Sequence, residues 1–336
     1  MKILSCTSPG EFEYQEGEKP QLSEGRAIVK IKRIGICGTD LHAFEGTQPF
    51  FSYPRILGHE LAGEVTEIAE NEEIFKGDLV TVIPYFNCGT CVACRNGKPN
   101  CCQKISVFGV HEDGGMQEFV SLPVSSLVKK ERLNLEQLAL AEPFAIGAHG
   151  VRRAGVKPGQ FVLVIGAGPI GLGVMEFARI AGAMVIAMDI NDKRLDFCRE
   201  AWNIPYVVKA GENAYETIRE ITNGDFCDAV IDATGSLAAI NQGFKYIAHG
   251  GNYVLVGLQK GEIAFSHPEF HKREATLMSS RNAIREDFDQ VLEAMDSGQL
   301  SVEKYITNRV QFEQVTHDFQ SWLNPENGVI KAMVEM

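Results

Sequence analysis

Four cysteines, Cys88, Cys91, Cys94 and Cys102, follow one another as C-x2-C-x2-C-x7-C in a stretch rich in glycine and asparagine. Thiolates at that spacing can close a tetrahedral shell around zinc with bonds of about 2.3 Å, and so stabilise a loop that has no core of its own. A closed shell leaves no position for a substrate, which makes this set structural. Cys101 shares the neighbourhood and can stand in for Cys102, although the spacing favours Cys102. Free thiols and an iron–sulfur cluster are the other uses of such a set. A second constellation is dispersed: Cys37 in GICGTDLH, His59 and Glu60 in GHE, and Glu142 in AEPF. Thiolate, imidazole and carboxylate together suit zinc, and three protein ligands plus water leave an open catalytic position. Taken singly, such a cysteine or histidine is more often packing or surface than ligand.

Gly166, Gly168 and Gly171 form G-x-G-x-x-G, with Pro169 and Ile170 inside the turn, directly after the apolar run FVLVI and at the head of a helix-like segment. Such glycines allow a tight turn, close approach to a pyrophosphate and close helix packing, while the helix N-terminus offers amide donors and a favourable dipole. Asp189 ends the next apolar run, 18 residues beyond Gly171, where a carboxylate can accept from an adenosine ribose. An isolated glycine turn occurs in unrelated α/β proteins, and strand-end aspartates often cap turns. The complete unit points to a dinucleotide. Ile190 and Asn191 follow Asp189, with no arginine there to receive a 2′-phosphate, so NAD is favoured over NADP. Arg194 either lies over the adenosine or is simply solvated.

The elements around these residues fall into two kinds. From about 28 to 122 short β-like runs (AIVKIKRIG, ELAGEVTEI, DLVTVIPY) are separated by glycine-rich turns, which predicts a β-rich, irregular domain. After Leu138, LALAEPFAIGAHGVRRAG reads as helix, and strand, helix and strand then alternate, the start of a parallel α/β sheet. CDAVIDATG (227–235) and NYVLVGL (252–258) are further buried strands, with helix-like LAAINQGFKYIAHG between them; the rhythm runs to about Arg281. An amphipathic segment at 288–295 and a last β-like run, VIKAMVEM, follow. The length of 336 residues suits two domains, and no apolar run is long enough to span a bilayer. A formal net charge of -12 argues against nucleic-acid or anionic-membrane partners. Six of the nine cysteines crowd between positions 37 and 102, a metal pattern for a reducing compartment. Residues 1–6 lack the features of a signal peptide, so a cytoplasmic location is expected.

GICGTDLH, GHELAGEV, the four-cysteine lobe, AEPF and GAGPIG stand in the order seen in zinc-containing medium-chain dehydrogenases, the alcohol and polyol dehydrogenase family, which this chain resembles over nearly its whole length. The resemblance implies a GroES-like catalytic domain (1–147 and 282–336) interrupted by a Rossmann domain (148–281), with the active site in the cleft between them. It implies NAD and two zinc ions per chain, the catalytic one surrounded by Cys37, His59 and Glu142, with Glu60 as an alternating or additional ligand. Many alcohol-oxidising members have a second cysteine where this chain has Glu142, as in the sorbitol and threonine dehydrogenase branches.

Thr39 and His42 match the family's proton relay, from substrate oxygen through Thr39 and the cofactor ribose to His42 near solvent. Asp40 resembles the carboxylate that orients a zinc-bound histidine, here His59. Thr234 and Gly235 resemble a nicotinamide-side turn, and Val256, Gly257 and Leu258 a lining of the ring. Arg281 and Lys331 are candidates to face cofactor phosphate or an acidic substrate. Within the family, QPFFSYPRILGHE, VFGVHEDGG and PEFHKREATLMSSRNA look most like bacterial sugar-acid dehydrogenases acting at C5 of L-galactonate or L-gulonate. Gln48, His111 and Arg281 are polar candidates for the hydroxyls and carboxylate of such a polyhydroxylated substrate. Sorbitol-like or L-threonine oxidation, and a catalytically silent NAD- and zinc-binding member, are the alternatives. A homo-oligomer, dimer or tetramer, is implied by the same resemblance.

Overall fold

The computed structural model describes residues 1–49, 51–69 and 73–336; Phe50, in the segment QPFFSYPRILGHE, lies outside them. The chain divides into two compact units, Met1–Pro143 with Ile284–Met336, and Phe144–Ala283.

In the first unit one sheet runs in the order Leu127–Lys129, Leu79–Val82, Glu60–Ile68, Arg26–Gly35, Lys331–Glu335 and Ile306–Gln311, with Phe119–Pro123 also pairing Arg26–Gly35. The final strand enters antiparallel to Arg26–Gly35, pairing Met333 with Gly35. Two N-terminal strands, Lys2–Ser8 and Glu11–Glu16, form a smaller sheet with Arg55–Ile56. Their weak β signal, with glutamates along the exposed Glu11–Glu16, left them outside the sequence expectation. Apolar residues from both sheets form one core that also takes Val315, Phe319 and Trp322 of the helix Val315–Trp322, a 3.6-residue stripe facing inward.

The second unit is a six-stranded parallel sheet in the order Tyr206–Lys209, Met184–Asp189, Phe161–Ile165, Cys227–Asp232, Ile247–Leu255 and Thr276–Ser279. This is the 3-2-1-4-5-6 order of a doubly wound dinucleotide-binding sheet, reversing between Phe161–Ile165 and Cys227–Asp232. Its central strands are continuous apolar runs because helices such as Pro169–Ile180 cover them. One expectation moves: helix Leu237–Gly243 stops early, and Ile247–Leu255 begins five residues before NYVLVGL, taking IAHG into the strand. The glycines at 250 and 251 hid that start, since they carry no β propensity.

Candidate metal centre and dinucleotide site

The helix Gly38–Glu45 starts at Cys37, its N-cap, and ends at Gly46 in the left-handed region (φ 77). Asp40 sits in its first turn, 1% exposed. Its carboxylate accepts the Cys37 N–H (2.9 Å) with one oxygen and the Gly58 N–H (3.2 Å) with the other. One buried side chain thus ties the helix start that carries Cys37 to the turn that carries His59. The same Asp40 Oδ1 lies 3.7 Å from His59 Nδ1, a buried nitrogen with no hydrogen-bond partner among the described residues. Burial works against a charged His59, yet Asp40 and Cys37 beside it raise its pKa well above the ordinary value.

Glu60 opens the strand Glu60–Ile68 opposite Gly35, where a Cβ would overlap Glu60 Oε2. Glycine at 35 therefore makes room for the carboxylate. Ligand atoms of Cys37, His59 and Glu60 all lie within 4.8 Å of one another. Soft thiolate, borderline imidazole and hard carboxylate on one side fit zinc with an open fourth position. Glu142, on the first turn of the helix Ala141–Ala154, is 4% exposed and stands outside that trio; the Tyr85 hydroxyl donates to its Oε1. Burial pushes Glu142 up to about 6, with Glu60 adding to the push and His59, Tyr85 and Lys331 opposing it. The local geometry therefore gathers Glu60, not Glu142, with Cys37 and His59.

Lys331 does not face a ligand phosphate from the surface. It is 1% exposed, donating to both Glu60 oxygens (2.6 and 2.7 Å) and to the Ile36 carbonyl (2.9 Å). Burial favours its neutral form, but Glu60 and Cys37 outweigh burial and raise its pKa. A lysine inside the apolar run VIKAMVEM was the available signal, since a buried cation must be paired. Tyr85 and Gly35 had no comparable mark in the sequence.

Thr39 and His42 are three residues apart and so share a helix face. Thr39 is half-buried and His42 exposed, with Nδ1 3.2 Å from Thr47 Oγ1 and 3.4 Å from Glu45 Oε2. Gln48 is half-buried beyond Gly46, its N–H donating to the His42 carbonyl. His111 is exposed, its Nδ1 accepting the Val107 N–H at 2.9 Å. Arg281 is exposed beyond Thr276–Ser279 in the second unit. Gln48 and His111 thus belong to the first unit and Arg281 to the second.

In the cysteine lobe the four sulfurs also lie within 4.8 Å of one another, with Cys91–Cys94 and Cys88–Cys102 each 3.5 Å apart. Sulfurs around one tetrahedral zinc at about 2.3 Å stand about 3.8 Å apart, so the set fits. Backbone N–H groups of Thr90 and Cys91 lower the Cys88 thiol to about 6, and the N–H groups of Cys88 and Lys104 point at Cys102 Sγ (3.3 Å each). Cys101, by contrast, is exposed and outside the group.

In the second unit Gly166 turns at φ +98, and a Cβ on Gly171 would run into the Gly166 carbonyl. That is the close packing the glycine spacing predicts. Helix Pro169–Ile180 takes Gly168 as N-cap, Pro169 as its first residue and Ile170 as its second. Asp189 accepts from the Ala167 N–H (2.7 Å) and the Asn191 N–H (2.8 Å), and Arg194 Nη1 lies 3.9 Å away. At the end of the strand Cys227–Asp232, the fully buried Asp232 accepts from the Thr234 N–H and hydroxyl (3.0 Å), while its carbonyl takes the Val256 and Gly257 N–H groups. A Cβ on Gly257 would overlap the Gly235 nitrogen, and Leu258 is 80% exposed. Gly166, Gly168, Asp189, Arg194, Tyr215 and Thr234 line a pocket of about 900 Å³, ample for a mononucleotide half.

The comparisons with known proteins follow the same order. Residues 23–132 match the alcohol dehydrogenase GroES-like domain and 169–297 the zinc-binding dehydrogenase domain. The chain is 43% identical to L-galactonate-5-dehydrogenase of Escherichia coli (strain K12), over 99% of this chain and 98% of that one. It belongs to the zinc-containing medium-chain alcohol dehydrogenase family. It is an oxidoreductase, with zinc and a nicotinamide dinucleotide as cofactors. D-xylulose reductase A of Aspergillus oryzae is 33% identical over 92% of this chain and 90% of its own. A crystal structure of an E. coli CFT073 alcohol dehydrogenase complexed with NADH superposes with a TM-score of 0.93, at 28% identity, covering 100% of this chain and 99% of that one. No described helix is long and apolar enough to cross a membrane.

Proposed function

We propose that this dehydrogenase oxidises a secondary hydroxyl of a sugar acid of the L-galactonate or L-gulonate type with NAD, giving the keto acid and NADH. The observation that carries the substrate class is the 43% identity, end to end, to a dehydrogenase of L-galactonate. Cys37, His59 and Glu60 hold the catalytic zinc, and Cys88, Cys91, Cys94 and Cys102 a structural one. Bound at the open site, zinc supplies Lewis-acid polarisation that lets the substrate hydroxyl lose its proton near neutral pH. Bound on the glycine turn, the nicotinamide dinucleotide supplies the hydride acceptor.

The chain's own residues do the rest. Asp40 fixes the Cys37 and Gly58 backbones and faces His59, so the ligands keep their aim. Thr39 accepts the hydrogen bond of the reacting hydroxyl, and exposed His42 passes the proton to water. Glu142 and Tyr85 form the polar wall beside the ligands. Asp189 receives the ribose diol and repels a 2′-phosphate, which favours NAD. A substrate carboxylate approaching a protein of net charge -12 needs a local cation, and Arg281 is the residue we assign to that role. The identity to a D-xylulose reductase favours a second candidate, a neutral polyol. A screen of NADH formation over aldonates, polyols, L-threonine and simple alcohols separates them: the aldonates should be preferred, and a clear preference for a neutral polyol, threonine or a simple alcohol defeats the sugar-acid assignment.

A further inference from the structure

Glu60 serves two partners. Its carboxylate belongs to the trio with Cys37 and His59, and both of its oxygens also receive Lys331 Nζ, at 2.6 and 2.7 Å, in a pocket where Glu60 is 0% and Lys331 1% exposed. A carboxylate has lone pairs enough for an ammonium and a metal together. The two cations nevertheless repel one another, and away from water that repulsion is weakly screened. Lys331 is held in place independently, by the Ile36 carbonyl at 2.9 Å and by the pairing of its strand with Arg26–Gly35. Both contacts favour the position of the ammonium against Glu60.

We infer that Lys331 is a built-in competitor of the metal for Glu60: its ammonium balances the pocket's charge in the metal-free protein and weakens Glu60 as a ligand in the loaded one. The centre therefore tolerates losing its ion and releases it readily, unlike the cysteine lobe. This rests on the assignment of Cys37, His59 and Glu60 as zinc ligands. A lysine needed only for packing behaves differently, because removing one member of a buried pair then destabilises the protein whether or not metal is bound. With a competitor, the divalent ion replaces Lys331 as counter-charge, so the loss falls on the metal-free form alone.

The test uses full-length protein purified with zinc throughout, as wild type, K331M, K331R, E60Q and the K331M/E60Q double variant. Zinc release to a chromogenic chelator is followed in time, and Tm is measured for metal-replete protein and for protein depleted of its faster-exchanging ion. K331M should slow release of that ion about 10- to 100-fold, the usual scale for groups that act through a ligand. It should also lower Tm of the depleted form far more than that of the replete form. K331R should stay near wild type, and in the E60Q background K331M should no longer slow release. If depleted K331M does not fold, the release rate from replete protein decides alone. Release at the wild-type rate or faster, equal Tm loss in both forms, or an undiminished effect without Glu60 each overturns the competitor role while leaving the ligand assignment intact. A wild type that yields only one zinc overturns the assignment, and the competitor role with it.

Discussion

The cysteine lobe and the Cys37 centre both gather metal-binding side chains, and they do so by opposite means. In the lobe, Cys88 and Cys102 are 14 residues apart, the donors that tune the sulfurs are neighbouring backbone N–H groups, and only Cys102 of the four thiols is buried. The Cys37 centre draws Cys37 from a helix start, His59 from a turn, Glu60 from a strand, and Lys331 from 271 residues further along. Asp40, His59, Glu60 and Lys331 there are almost wholly buried, and Glu60 and Lys331 hold one another. Local spacing gathers the thiols of the lobe, whereas helix start, turn and sheet register together gather Cys37, His59 and Glu60.

The largest expected effect breaks the two sites separately. C37S should abolish turnover and reduce zinc from two ions to one with little change in Tm, whereas C94S should lower Tm by on the order of 10 °C. Elemental analysis and thermal melts check both, and a C94S protein as stable as wild type would erase the distinction. Next, G35A puts a methyl where Glu60 Oε2 now lies, so metal affinity at the Cys37 centre should fall about 10- to 100-fold, at a stability cost of about 1–3 kcal/mol. The lobe's zinc should be unaffected, which a chelator titration resolves. Asp189 has an intermediate reach, accepting an N–H 22 residues away. Asp189→Ala should narrow discrimination between NAD and NADP by about tenfold in kcat/KM and raise KM for NAD.

The smallest effect belongs to a surface pair, Glu136 accepting from Arg309 Nε at 2.7 Å and Nη2 at 3.0 Å, whose long-range geometry resembles the centre but whose exposure resembles the lobe. E136Q should cost about 0.5 kcal/mol or less in denaturant melts at neutral pH. Arg309 holds the Glu136 carboxyl below its ordinary 4.5 in the folded protein. The pair's contribution is therefore complete above that pH and fades as pH falls through the lower, folded value. Wild type and E136Q should then converge in acid, and a gap that widened in acid would contradict the ion pair.

What the sequence reveals tracks the same contrast. The glycine turn and Asp189 are legible because strand, turn, helix and strand follow in order within about thirty residues, each fixing the next. The two-part α/β fold is legible for a similar reason, since apolar runs that alternate with helices leave few topologies. Within the Cys37 centre the helix start announces Cys37 and Asp40, but only register decides which carboxylate joins Cys37 and His59. Glu60 and Glu142 look alike in sequence, and the glycine opposite Glu60, the tyrosine on Glu142 and the lysine on Glu60 come from elsewhere in the chain. The N-terminal strands were illegible for a plainer reason: Glu11–Glu16 buries almost nothing, so no alternation of apolar residues marks it.

The late strand Lys331–Glu335 also orders events on the ribosome. All four lobe cysteines are available once position 102 has emerged, so that loop can take its ion while most of the chain is still unmade. Glu60 emerges earlier still, yet it waits for 271 more residues before its ammonium partner exists and the strand beside Gly35 can dock. Contacts of such separation form late, because the long loop must be closed before they return any energy. A nascent chain paused before residue 331 therefore exposes an unneutralised glutamate and an open sheet edge, the surface a chaperone or a protease meets first.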